Sequence, residues 1–226
     1  MKGFIIFVKG HKASEAQALN CFNSCKDLGY DVMFLEGSTP DKMKVSWDYP
    51  EIEDARVRIF KKENYKKYLA KKACISNQYR LWKKCVELDE PILVLEHDAI
   101  AVKEWDSPEY TDMLVLNMKS AMGRSIARSV KPSSTAYDYK GVQDITKSGS
   151  RLIYNRENKY KDSYMPPGIA SYMIKPRAAK ILIESLDTDG WEQGDYFINT
   201  SKIKIEYTVP DYFVLNQNNL QLSHGV

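Results

Sequence analysis

The chain has 226 residues, a formal net charge of +3, 43% hydrophobic and 28% charged residues, the balance of an ordinary globular protein rather than a disordered one. No apolar run approaches the ~20 residues that cross a bilayer. Phe4–Val8 is too short for a secretory leader and no small-residue cleavage site follows, so a cytoplasmic protein without a membrane span is expected. Cys21, Cys25, Cys74 and Cys85 show neither CxxC nor Cys/His zinc spacing and read as reduced, mostly buried thiols.

The first 36 residues read as strand, helix, strand. Phe4–Val8 is continuously apolar, as a strand covered on both faces must be. After the turn Lys9-Gly10-His11, the residues Ala18, Cys21, Phe22, Cys25 and Leu28 recur at helical spacing, with Gly29 at the helix end. Asp31–Leu35 is the second strand. Such a βαβ unit implies a parallel sheet with a right-handed crossover and a ligand site beyond the strands' carboxyl ends, which puts Lys9–Lys12 and Glu36–Thr39 on one rim. Residues 40–60 look irregular. From about Glu63 to Leu88 the pattern is helical, its stripe formed by Ile75, Tyr79, Trp82, Cys85 and Val86, with a break expected near Ala73–Ser76. Ile92–Leu95 is a short buried strand and Met113–Leu116 another. Residues 119–166 are the least regular part and read as a lid. Ile169–Ile174 is a strand, Ala178–Leu186 a helix, Lys204–Val209 a strand, and a polar tail follows. The class is α/β, one domain.

Charge is unevenly placed. Nine Lys/Arg and one acid lie between Lys61 and Lys84, and Glu184, Asp187, Asp189, Glu192 and Asp195 form an acidic stretch. Basic stretches suit a phosphate-bearing partner as well as a solvated helix face. The sharpest feature is Leu93-Val94-Leu95-Glu96-His97-Asp98. Two carboxylates end a buried strand at spacing i, i+2, which in extended backbone sets both on one side. Like charges held together favour a shared cation, and oxygen ligands suit Mg²⁺ or Mn²⁺. By the same alternation His97 points away from them. A second candidate is Gly190-Trp191-Glu192-Gln193-Gly194-Asp195, where glycines flank two carboxylates. Trp191 is either a sugar-stacking ring or part of the core. Asp195 is either a base or the cap of a helix starting at Tyr196. Fifteen tyrosines, Tyr164 among them, suit a sugar or base surface and equally a packed loop.

Ala73-Cys74-Ile75-Ser76-Asn77, Leu81-Trp82 and Pro91-Ile92-Leu93-Val94-Leu95-Glu96-His97-Asp98 resemble the core signature of glycosyltransferase family 25. That signature runs from a Gly-Cys-x-x-Ser-His helix start to a strand ending Leu-Glu-Asp-Asp. Pro167-Gly168-Ile169-Ala170-Ser171-Tyr172-Met173-Ile174 resembles the family's Gly-x-x-Ala-Tyr-x-Ile segment. His97 replaces the middle acid and Asn77 the usual His. The resemblance implies a GT-A-like, Rossmann-like, mostly parallel sheet flanked by helices over residues 1–226, with a nucleotide-sugar half (1–118) and an acceptor or lid half (119–226).

It further implies a metal-dependent transferase moving a sugar from a nucleoside-diphosphate sugar, a UDP-sugar in the first instance, to a hydroxyl of a surface glycan. Asp98 and Glu96 would hold Mn²⁺ or Mg²⁺, with His224 as a late ligand of the kind many GT-A enzymes use. Lys9, His11, Glu36, Arg80 and Glu96 would face the donor, with Lys12 and Arg128 as further basic candidates. Trp191, Gly168 and Tyr164 would face the acceptor. A distant likeness of the Gly190–Asp195 segment to β-1,4-galactosyltransferases makes Asp195, then Glu192, the base. Alternatives are a sugar transferase acting on hydroxymethylated DNA bases, a polyanion-binding module, and a degenerate transferase without turnover.

Overall fold

The computed structural model describes residues 1–40, 65–125, 138–150, 163–191 and 194–216. Side chains of 65–68, 122–125 and 195 are excepted. In chain order the elements are β1 (Lys2–Phe7), α1 (Lys12–Asp27), β2 (Asp31–Glu36), α2 (Tyr65–Leu88), β3 (Ile92–Glu96), β4 (Ala99–Ala101), β5 (Met113–Val115), α3 (Met118–Ser125), β6 (Gly141–Asp144), β7 (Ser171–Ile174), α4 (Pro176–Asp189), α5 (Gly194–Phe197), β8 (Ile205–Val209) and β9 (Phe213–Leu215).

Seven strands form one sheet in the order β2-β1-β3-β7-β5-β8-β6. β1 runs parallel to β2 and β3, β7 is antiparallel to β3 and β5, β8 is parallel to β5, and β6 is antiparallel to β8. Five strands therefore point their carboxyl ends at one rim, the Rossmann-like, mostly parallel α/β arrangement that the sequence predicts.

The apolar strands are apolar because both faces are covered. Ile5, Leu93 and Leu95 pack with Ala18, Cys21 and Cys25 of α1. Phe4, Ile6 and Val94 face the opposite way, toward Ile75, Leu81, Trp82 and Cys85 of α2 and Ala178 and Leu182 of α4. Trp82 anchors that layer: its indole N–H donates to the Tyr172 hydroxyl at 3.2 Å and its ring stacks on Phe197 at 5.9 Å.

Local signals set the helix ends. The His11 side chain accepts from the Ser14 amide at 3.3 Å, and Glu15 reaches back to the Gly10 amide at 2.8 Å, a reciprocal cap of α1. Gly29, with φ +75°, takes the left-handed position just past its end. Pro176 opens α4.

The structure departs from expectation in three places. α2 is continuous from Tyr65 to Leu88, with no break at Ala73–Ser76, since its buried face runs on unbroken through Ala73, Ile75, Ser76 and Leu81. α3 and β6 lie inside the stretch read as irregular. The tail contains β9, which pairs with β4 in a separate two-stranded ribbon.

Candidate active site

The carboxyl rim gathers the first group of predicted residues. Strand register sets Ile6 beside Leu35 on one side and beside Glu96 on the other, and Phe7 beside Glu36. The ends of β1, β2 and β3 are thus level. The Lys9 ammonium, largely in solvent, lies 3.6 Å from the partly exposed Glu36 carboxylate. Arg80, projecting from α2, donates to the Glu36 carbonyl oxygen at 2.9 Å. His11 is the cap of α1; its Nδ1 is occupied as an acceptor, which leaves Nε2 to carry the proton and face other partners.

Asn77 stands where the resemblance called for His. It is buried, and its Oδ1 accepts from the Ser38 amide at 2.7 Å. Gly37 sits under that contact: its amide donates to the Phe7 carbonyl at 2.8 Å. A Cβ there would lie 3.1 Å from Ile6 Cγ2 and from the Phe7 oxygen. Asn77 therefore shapes the loop leaving β2.

The Glu96-His97-Asp98 segment differs from the expected extended run. The strand stops at Glu96, and His97 and Asp98 form a turn into β4. Alternation cannot carry past that turn. The charge of Glu96 acts on Tyr172, in the layer under α2, whereas that of Asp98 acts on Cys21 of α1. The i, i+2 spacing does not by itself set the two carboxylates on one face. Burial lowers the His97 pKa; Asp98 opposes this and His11 reinforces it. The imidazole is thereby kept neutral at the rim, close enough to His11 for the two rings to influence each other. The turn is tied down from behind, where the Asn216 amide donates to the Asp98 carbonyl at 2.8 Å.

Carboxylate oxygens are the ligand type that hard divalent cations take. Among the described residues no group of three or more His, Cys, Asp or Glu could hold an ion alone. Ions of the Mg²⁺ class commonly take one or two carboxylates and complete their shell with phosphate and water, so Glu96 and Asp98 are carboxylates of the right type at the strand end, each next to a different layer.

The second group lies across the same rim. α4 ends at Gly190, φ +74°. Gly194 then approaches so closely that a Cβ would meet Ile169 Cδ1 at 3.3 Å. This brings the start of α5 against the segment entering β7. Asp195 lies within that helix rather than before it, and its side chain, like Glu192 and His224, falls outside the described residues. Trp191 is 6% exposed and packs in the core, so its ring is not offered to a sugar face. Tyr164 is half-buried against the same core; its amide donates to the Thr200 hydroxyl at 2.8 Å and its carbonyl accepts from the Thr200 amide at 2.9 Å. Gly168 lies 3.5 Å from the Ala121 Cβ of α3 by its own virtual Cβ, at the rim. Arg128 lies outside the described residues.

Three rim residues escaped the sequence reading. Asn117, fully buried after β5, accepts from both the amide and hydroxyl of Ser171 at 3.1 Å. Ser14 accepts from the Val8 amide at 2.9 Å. Asp211, just past β8, receives the Lys119 and Ser120 amides, both at 3.1 Å, and so holds the start of α3. Burial raises the Asp211 carboxyl to about 6, although those two amides favour its ionised form. The available signal was a polar residue closing an apolar strand, as at Leu116-Asn117, the same pattern that singled out Glu96.

No helix among the described residues is long and apolar enough to cross a membrane. No curated protein matches the sequence. The family model described as glycosyltransferase family 25 (LPS biosynthesis protein) matches residues 21–198, from α1 through α5, and covers the Glu96–Asp98 turn, the segment entering β7 and the start of α5, so the chain belongs to glycosyltransferase family 25.

Proposed function

We propose that this glycosyltransferase moves a sugar from a nucleoside-diphosphate sugar, a UDP-sugar in the first instance, to a hydroxyl of a surface glycan, with Mn²⁺ or Mg²⁺ as cofactor. The observation that carries the reading is the level rim at which β1, β2 and β3 bring Lys9, Glu36 and the Glu96–Asp98 turn together within the family match. Residues 1–118 serve the donor and 119–226 the acceptor.

In this reading Lys9 and Arg80 supply positive charge toward the donor's phosphates, and His11 offers its Nε2–H. Glu96 and Asp98 would hold the divalent ion, whose chemistry is to neutralise the diphosphate leaving group. Asp195 removes the acceptor proton while the acceptor oxygen attacks the anomeric carbon and the bond from that carbon to the diphosphate oxygen breaks. Gly194 supports the assignment by letting α5 close against Ile169 beside the rim. Glu192 is the alternative base.

A thermal-shift screen of nucleotide sugars with and without Mn²⁺ tests the proposal. A ligand at 100 times its dissociation constant stabilises the native state by about 2.7 kcal/mol. A Mn²⁺-dependent shift with one nucleoside-diphosphate sugar is the expected result. The absence of any shift across the panel would remove the donor assignment.

A further inference from the structure

Where the rim reaches the β6–β8 edge of the sheet, a cavity of about 240 Å³ opens between that edge and the loop after β4. Lys103, Asp106, Val142, Thr208, Pro210 and Tyr212 are among its lining residues. Val142 and Thr208 are directly opposed in the β6–β8 pair. Proline and valine give it an apolar wall.

Its polar side is balanced in charge. The Lys103 ammonium donates to Asp106 Oδ2 at 2.7 Å and to the Tyr212 hydroxyl at 2.9 Å, and lies 4.1 Å above the centre of the Tyr212 ring. The Tyr212 hydroxyl in turn donates to Asp106. The arrangement is anchored at its base, where the Tyr30 hydroxyl donates to the Lys103 carbonyl at 2.7 Å. An ammonium carries three N–H donors, so one of Lys103's is left over, beside a carboxylate with lone pairs to spare. Thr208, 3% exposed, carries a buried hydroxyl without a hydrogen-bond partner, a state that buried polar groups rarely keep.

We infer that this cavity is an accessory carbohydrate subsite, binding a neutral sugar of the acceptor glycan at a distance from the reacting hydroxyl. Asp106 disfavours an anion and Lys103 disfavours a cation. A donor and an acceptor side by side match the alternating hydroxyls of a sugar ring, and Val142 and Pro210 match its C–H face. The location is consistent with a remote subsite: Asp98 and Lys103 are joined by β4, and five residues of extended chain span at most ~17 Å. The choice of a glycan as ligand rests on the transferase reading above.

The test uses the full chain. Amide NMR spectra are followed during titration with core oligosaccharide released from lipopolysaccharide by mild acid and, separately, with inorganic phosphate. The expected result is saturable shifts at Lys103, Val142 and Thr208 with the oligosaccharide only. Thr208→Val and Lys103→Met should each weaken that binding by roughly tenfold. The same variants should raise KM for the oligosaccharide acceptor by a similar factor while leaving donor hydrolysis by water within about twofold of wild type. Should Lys103→Met melt early, Asp106→Asn, at a more exposed position, replaces it. Oligosaccharide binding that ignores all three substitutions, no shift in the cavity, or a stronger response to phosphate overturns the subsite. Variant-sensitive binding by a chain that neither hydrolyses nor transfers sugar upholds the subsite and overturns the transferase reading instead.

Discussion

At the scale of single residues, Asp98 and His97 are adjacent in sequence but differ in their surroundings. If its carboxylate holds the divalent ion, Asp98→Ala is expected to abolish both transfer and donor hydrolysis. His97→Asn should do much less. Equal damage from both, measured as donor hydrolysis at saturating Mn²⁺, would assign the ligand role to the imidazole. Asp195→Asn should cost ~10²–10⁴ in turnover with donor affinity almost unchanged if the carboxylate takes the acceptor proton. A helix-capping role forecasts near-silence, since Asn caps about as well as Asp.

Asp211 makes a different forecast. Its native pKa is raised to about 6, above the ~3.9 of an unfolded chain. The native state therefore binds more protons than the unfolded one between those values, and stability must fall as pH rises from about 4 through 6 before levelling. Each unit is worth ~1.4 kcal/mol, so the site can contribute up to roughly 3 kcal/mol. Urea melts of wild type and Asp211→Asn between pH 4 and 7 should converge in slope only above that window. Parallel curves throughout would place the carboxyl at its ordinary value.

At the scale of elements, the loop leaving β2 offers the cleanest steric test. Gly37→Ala forces a methyl against Ile6 and the Phe7 carbonyl at 3.1 Å. Overpacking of this kind costs typically ~1–3 kcal/mol, and the displaced turn should also loosen the Asn77–Ser38 contact. A lowered melting temperature together with weaker nucleotide-sugar binding is expected; an unchanged enzyme would mean that the loop relocates freely.

The long elements were legible in the sequence for simple reasons. β1, β3 and β7 are continuous apolar runs, and α1 and α4 carry both periodicity and terminal Gly or Pro signals. Glu96 and the rim at Lys9 and Glu36 followed from those strands, as did their shared edge. β4, β6 and β9 were not legible: they lie in segments without the buried apolar run that marks β5 and β7, and their pairing is set by partners far away in sequence, such as Ala101 with Phe213. The turn at His97–Asp98 was missed for the same reason. Its geometry is dictated by β4 being drawn off to β9, which no local spacing announces. Trp191 read equally well as sugar platform or core until its neighbours were known.

At the scale of the whole molecule, the sheet is built from distant segments: β1 pairs with β3 some 90 positions later, and β3 with β7 after another 80. Hydrogen exchange should be slowest at the amides of β1, β3 and β7, which are paired on both sides and buried. Amides of β6, at the sheet's outer edge, should exchange much faster. Uniform protection across the sheet would mean that the edge and centre open as a single unit.

The ribbon of β4 and β9 has a bearing on synthesis. Asn216 fastens the backbone of Asp98, and Leu116 receives the amides of Tyr212 and Phe213. On the ribosome, β1, β2 and β3 emerge long before those partners exist. A nascent chain can assemble the edge of β1, β2 and β3 early, yet the turn at Asp98 stays unfastened until residue 216 has left the exit tunnel. If that turn serves catalysis, a product truncated before β9 would hold β1, β2 and β3 yet stay inert toward sugar donors.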